Sequence, residues 1–185
     1  MLKGQKTFLR PLEAEDIPLY QQWYNDQDVS YWANAAWPLC TMLSEVEVEE
    51  RFFVSSPTSR RFTILDENME PIGTTGFRDH NVPARSAVLF ISIGEQEYWG
   101  RGYGTDALRV LIDYLFLQWN FHRLSLDTWD GNLRALRSYE KLGFQVEGRL
   151  REARYVLGKY HDAILLSLLR DEYLENRAKF LPGKG

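Results

Sequence analysis

Three glycines at alternate positions in Trp99-Gly100-Arg101-Gly102-Tyr103-Gly104-Thr105 stand directly before the most regular helical pattern in the chain, and no other stretch limits the fold so tightly. In that pattern Leu108, Leu111, Ile112, Leu115 and Trp119 recur at the spacing of one helix face, while Asp106, Arg109 and Asp113 fall on another. A backbone without Cβ atoms can approach a ligand closely. The free N–H groups of the helix's first turn and the positive end of its dipole make that approach favourable for phosphate. An ordinary turn with no ligand is the competing reading of the glycines alone.

The flanks narrow the choice. Residues 87–93 read as a strand and 123–128 as another, so the unit is strand, glycine turn, helix, strand. A dinucleotide-binding unit reads similarly, because Gly102-x-Gly104-x-x-Ala107 fits its fingerprint and Asp127 lies twenty residues beyond Ala107. It fails on geometry, since the glycines come well after Ile93 and no series of further strand-helix units follows.

A second motif, Asn132-x-x-Ala135-x-x-x-Tyr139-x-x-x-Gly143-Phe144, reads as a short helix with Asn132 as its cap and with Ala135, Tyr139 and Leu142 on one face. The two motifs, in this order and at this spacing, resemble the GCN5-related N-acetyltransferase (GNAT) family. The resemblance implies an α/β (α+β) fold with a mixed, mostly antiparallel seven-stranded sheet and helices on both faces. It covers most of the chain and is sharpest over 87–169. Phe144-Gln145-Val146-Glu147-Gly148-Arg149-Leu150 and Gly158-Lys159-Tyr160-His161-Asp162 resemble the branch that holds ribosomal-protein N-terminal acetyltransferases and spermidine N-acetyltransferases.

Length and charge agree with one such domain over 1–185. The chain has 185 residues, 44% hydrophobic, enough for one core and too few for two comfortable ones. A net charge of −4 without a basic run argues against a nucleic-acid surface. The single Cys40 makes no internal disulfide, and no early apolar segment has the length of a signal or membrane span, so a cytoplasmic location is expected. The elements expected in order are a strand at 7–10, a helix at 17–23, an irregular stretch carrying Tyr31, Trp32 and Trp37, and a helix from Ser44. A hairpin over 61–77, the central unit, strands at 144–155 and 160–169, and a frayed tail from Asn176 to Gly185 follow. The apolar content of the last two strands is compatible with a homodimer. No cluster with metal-ligand spacing is present.

Site residues follow from the resemblance. It implies that acetyl-coenzyme A is the cosubstrate and a primary amine the acceptor, with direct attack. The turn formed by Trp99, Gly100, Arg101, Gly102, Tyr103, Gly104 and Thr105 is implied to hold the pyrophosphate through its backbone. Trp99 stands where the family often has Gln or Arg. The backbone of Ile91, Ser92 and Ile93 is implied to pair with the pantetheine arm, and Tyr139 to protonate the departing thiolate. An ordinary phenol pKa of about 10 would then give activity an alkaline limb. Asn132, Arg134 and Lys141 are implied cofactor contacts, with capping and solvation as their plainer roles. Trp32 and Trp37 are candidate walls of the acceptor site. His80, His122 and His161 are weak candidates for a base, with water as the alternative. A protein or peptide α-amine is the first expectation for the acceptor and a polyamine the second. Glu45, Glu47, Glu49 and Glu50 could attract a cation, whereas Val88 stands where relatives often carry an acid. A nucleotide-binding oxidoreductase and a non-catalytic coenzyme A module are the contrasting classes.

Overall fold

A computed structural model describes residues 1–34, 42–53 and 56–180; Cys40 and the expected acceptor residue Trp37 lie outside them. The elements are β1 Leu2–Lys3, β2 Phe8–Pro11, α1 Ile17–Asn25, α2 Gln27–Asn34, α3 Glu45–Phe52, β3 Arg60–Leu65, β4 Pro71–Asn81 and β5 Ser86–Ile93. They continue with α4 Tyr103–Leu117, β6 Arg123–Trp129, α5 Leu133–Lys141, β7 Gln145–Val156, β8 Lys159–Leu169 and α6 Arg170–Phe180. The sheet order is β1-β2-β3-β4-β5-β6-β8-β7, antiparallel throughout except between β5 and β6.

That exception positions the site. Parallel pairing of β5 and β6 covers only Ser86 to Val88 against Arg123 to Ser125. On its other edge β5 stays paired with β4 as far as Ile93, and β6 stays paired with β8 as far as Trp129. The two strands are thus held from outside to their ends while they part in the middle. The β5 backbone beyond Leu89 faces an opening instead of a ladder partner, an edge to which an extended ligand can hydrogen-bond.

Helix α4 closes one face. Leu108, Leu111, Ile112 and Leu115 are fully buried with Phe116, Leu124, Leu166, Leu168 and Tyr173 in one cluster, as the 3.6-residue pattern demands. Tyr20, Trp23, Val29, Leu43 and Val48 of the α1 to α3 region make a second cluster. Ser44 caps α3 in a reciprocal box with Glu47. Asp106, buried in the first turn of α4, accepts from the backbone N–H groups of Gln5, Lys6 and Thr7 and pairs with Arg109 at 2.7 Å. Burial alone would raise its pKa, but Arg109 and those N–H donors hold it below the ordinary 3.8.

Three expectations are corrected. The sheet has eight strands, because the two-residue β1 pairs Leu2 with Leu9 and Lys3 with Phe8, too short a run to leave a pattern. Tyr31 and Trp32 lie on a helix, α2, whose Val29 N–H is accepted by Asp26 Oδ1 at 2.9 Å. Asn176 to Phe180 continue α6, which Tyr173, fully buried against Phe116, and Arg177, bonded to Asp113 at 2.6 Å, fasten to α4; only 181–185 of the expected tail lie outside the described residues.

Candidate functional site

The opening between β5 and β6 is a cavity of about 720 Å³. Its floor is the parted strands, Leu89 to Ile93 and Leu126 to Trp129, and its walls come from the glycine turn, α2 and α5. Of the turn, Trp99, Gly100, Gly102, Gly104 and Thr105 line it. Gly100 and Gly102 have φ of 72° and 90°, the left-handed region that glycine enters without a Cβ penalty, and a Cβ at either would meet nothing within 4 Å. Gly102 is also the N-cap of α4, so the N–H groups of Tyr103, Gly104 and Thr105 have no carbonyl a turn behind them. Tyr103 and Arg101 face elsewhere: the Tyr103 ring is buried and its hydroxyl donates to Glu67 at 2.9 Å, and Arg101 lies over the Tyr98 and Tyr103 rings. Any part they take in the site is therefore through the backbone.

Trp99 holds the end of β5. Its indole donates to the Ile93 carbonyl at 2.8 Å, and the Arg134 guanidinium lies 4.5 Å above its ring and 5.3 Å from that of Trp32. The two indoles cover the faces of Arg134, and the desolvation lowers its pKa from the ordinary value. Arg134 has no carboxylate partner among the described residues. Trp32 stacks on Trp129 with centroids 6.1 Å apart. Trp129 Nε1, buried, is the one buried side-chain N or O among the described residues without a hydrogen-bond partner.

Asn132 caps α5 and stands in the cavity lining. Its Oδ1 accepts from Ala135 N at 3.2 Å, and its Nδ2 donates to the Trp32 carbonyl at 3.0 Å, tying α2 to α5. Gly143, φ 91°, ends α5. In between, Tyr139 is 8% exposed, sits 6.1 Å from the Phe144 ring, and lines the cavity. Its hydroxyl has no hydrogen-bond partner among the described residues. Burial, with the charge of Asp127 behind it, pushes the phenol well above its ordinary pKa. The alkaline limb expected from an ordinary phenol is therefore corrected: the group stays protonated through the working range.

The cavity holds five cations, Arg78, Arg134, Arg137, Lys141 and Arg154, and one carboxylate, Asp127. Asp127 is bonded to Arg154 and lies 3.8 Å from Arg78. None of the three histidines lines the cavity: His161 Nδ1 pairs with Asp130 at 2.9 Å behind Trp129, His80 packs on Phe121, and His122 is exposed. Among the described residues no group of three or more His, Cys, Asp or Glu side chains could hold a metal ion. No described helix is long and apolar enough to cross a membrane.

The family model for the acetyltransferase (GNAT) domain matches residues 6–145. The chain belongs to the GNAT acetyltransferase family. It is 32% identical over 175 residues to the spermidine N(1)-acetyltransferase of Escherichia coli strain K12, covering 94% of this chain and 91% of that one. An uncharacterized N-acetyltransferase, p20 of Bacillus licheniformis, is 28% identical over 181 residues, covering 93% and 97%. Among solved structures, the spermidine N-acetyltransferase from Vibrio cholerae in complex with CoA and spermine superposes with a TM-score of 0.83 at 28% identity, covering 92% of this chain and 99% of that one. This GNAT protein is thus an acetyl-CoA-dependent N-acetyltransferase.

The residues present fit that cosubstrate. The open side of Gly100 and Gly102 leaves room for a pyrophosphate against free N–H groups, the unpaired edge of β5 suits an amide-bearing arm, and Arg137 and Lys141 on α5 supply charge. Sequence reasoning missed Trp129, Arg154 and Arg78 as cavity residues. Trp129 and Asp127 stand at alternate positions of β6, and that alternation was the available signal.

Proposed function

We propose that the protein acetylates a small primary amine by direct attack on the thioester. The observation that carries this is the parting of β5 and β6, which sets a free strand edge between a glycine turn and a buried phenol. Acetyl-coenzyme A supplies an activated acetyl group. The N–H groups at the turn of α4 hold its phosphates, the β5 edge orients its arm, and an N–H near Ile93 receives the carbonyl oxygen as charge develops there. The amine nitrogen forms the new bond to the carbonyl carbon, the C–S bond breaks, and the Tyr139 hydroxyl gives its proton to the sulfur. The amine's proton leaves to water, because Asp127 is held by Arg154 and Arg78. The assignment of Trp32 and Trp37 as acceptor walls rests on the resemblance; Trp32 stands on the cavity wall, and Trp37 lies outside the described residues.

The acceptor enters beside β5. A second pocket of about 360 Å³ lies under α1 to α3 and shares Val29, Ala33, Arg78, Phe90, Ile91 and Ser92 with the first. Its size suits a small molecule, and the relatives named for spermidine support such an amine over a protein or peptide N-terminus. They also favour a polyamine as a second reading. Glu45, Glu47, Glu49 and Glu50 give it no support, since none of them lines either pocket. Thiol release from acetyl-coenzyme A, measured across small amines, polyamines and peptides, tests the proposal. Turnover confined to peptides would overturn it.

A further inference from the structure

The second pocket is built for an anion. Its lining carries Arg51, Arg61 and Arg78 beside Trp23, Tyr24, Phe52 and Phe90, and no Asp or Glu among the described residues. Arg61 is the fixed member. It lies 4.3 Å from the Phe90 ring and 4.7 Å from the Phe52 ring, and its Nη1 donates to the Tyr24 hydroxyl at 3.2 Å. No carboxylate pairs with it among the described residues.

The sheet register explains why it lies there. Arg61, Gly76 and Phe90 stand side by side on β3, β4 and β5. A Cβ at Gly76 would fall 2.1 Å from the Arg60 carbonyl and 2.7 Å from the tip of the Phe90 ring, so glycine lets the ring lie over β4, where the guanidinium rests on it. The aromatic faces and the tyrosine occupy part of the fork and leave its remaining N–H donors for a ligand. Arg78 stands on the wall between the two pockets but is paired with Asp79 and lies 3.8 Å from Asp127, so Arg61 is the cation that carries the site.

A free polyamine would bring several positive charges into this lining without a carboxylate to meet them. We infer that the acceptor is a small primary amine that also carries a carboxylate or phosphate, bound by Arg61 in the second pocket while the amine reaches the edge of β5 at Phe90 to Ser92. This rests on the N-acetyltransferase reading above and narrows its acceptor.

The test compares matched pairs by thiol release at saturating acetyl-coenzyme A: 4-aminobutyrate with butylamine for the carboxylate, and phosphoethanolamine with ethanolamine for the phosphate, with spermidine alongside. The charged member of at least one pair is expected to have the higher kcat/KM, by about tenfold to a hundredfold, the range of one charge-assisted hydrogen bond. Which pair responds tells carboxylate from phosphate. Arg61→Gln should shrink that ratio towards one and Arg61→Lys should restore part of it, with calorimetric binding of acetyl-coenzyme A as the check that each variant is folded. A ratio near one in both pairs, a preference for spermidine over both anions, or an Arg61→Gln variant that keeps the wild-type ratio would each overturn the inference while the small-amine reading stands. Absence of thiol release with every amine would overturn both.

Discussion

Replacing Tyr139 with phenylalanine separates its chemical role from its packing. The ring is 8% exposed and sits in the main core cluster with Leu142 and Phe144, so its burial is retained by phenylalanine. The hydroxyl makes no hydrogen bond within the described chain. Its removal therefore takes away none of the roughly 0.5–1.5 kcal/mol of an ordinary bond, and the hydroxyl borders the open cavity. The variant should be as stable as the wild type to within about 0.5 kcal/mol by urea unfolding at neutral pH. Catalysis should not be spared. If the phenol protonates the thiolate, kcat should fall by about 10²–10⁴-fold with little change in acetyl-coenzyme A affinity. Because burial pushes the phenol above its ordinary range, the wild type should show no loss of activity through phenol ionisation below about pH 10. A Tyr139→Phe enzyme with near-wild-type kcat on its best acceptor would refute the role. A marked loss of stability would refute the claim that the hydroxyl is unpaired.

Three further outcomes follow from the same geometry. Gly102→Val places a branched side chain at φ 90° and into the open side of the turn, so acetyl-coenzyme A binding by calorimetry should be lost, with strain of about 1–2 kcal/mol in the fold; wild-type affinity would show that the turn does not hold phosphate. Asp106→Asn should destabilise the protein by about 3 kcal/mol at pH 7 in urea unfolding, because it leaves Arg109 and the N–H groups of Gln5 to Thr7 with a weaker partner. The folded pKa of Asp106 lies below its ordinary 3.8, so this contribution is full above that value and is lost as pH falls through the lower folded pKa; the gap between wild type and variant should close in acid, and a gap that widens there would contradict the sign. Asn132→Ala removes the cap of α5 and the bond to the Trp32 carbonyl, and should cost about 1–2 kcal/mol while lowering kcat/KM, both measured on one preparation.

Much of this protein was legible in the chain because the relevant signals are local. The glycine turn before an amphipathic helix and the Asn132 cap each depend on backbone angles and spacings that a few neighbouring residues dictate, and each stands where the pattern puts it. Apart from α2, the order of strands and helices from Phe8 to Leu169 follows from the same periodicities. Short or weakly patterned elements did not show: β1 exists because Asp106, about a hundred residues away, gathers the N–H groups that follow it, and α6 because Tyr173 and Arg177 find Phe116 and Asp113.

The site's chemistry was decided by contacts distant in sequence. Pairing of β5 with β6 stops at Val88, and nothing within either strand announces that, since the apolar run of β5 and the alternation of β6 both continue past that point. The ion pairs of Asp127 with Arg154 and Arg78 join side chains from three different strands, β6, β7 and β4. The orphaned indole of Trp129 and the crossing of Arg61 over Gly76 to Phe90 likewise depend on strand register. A sequence pattern tells which face of its own element a residue takes. Which charge or ring then lies opposite is a property of the assembled sheet, because that neighbour is supplied by another strand.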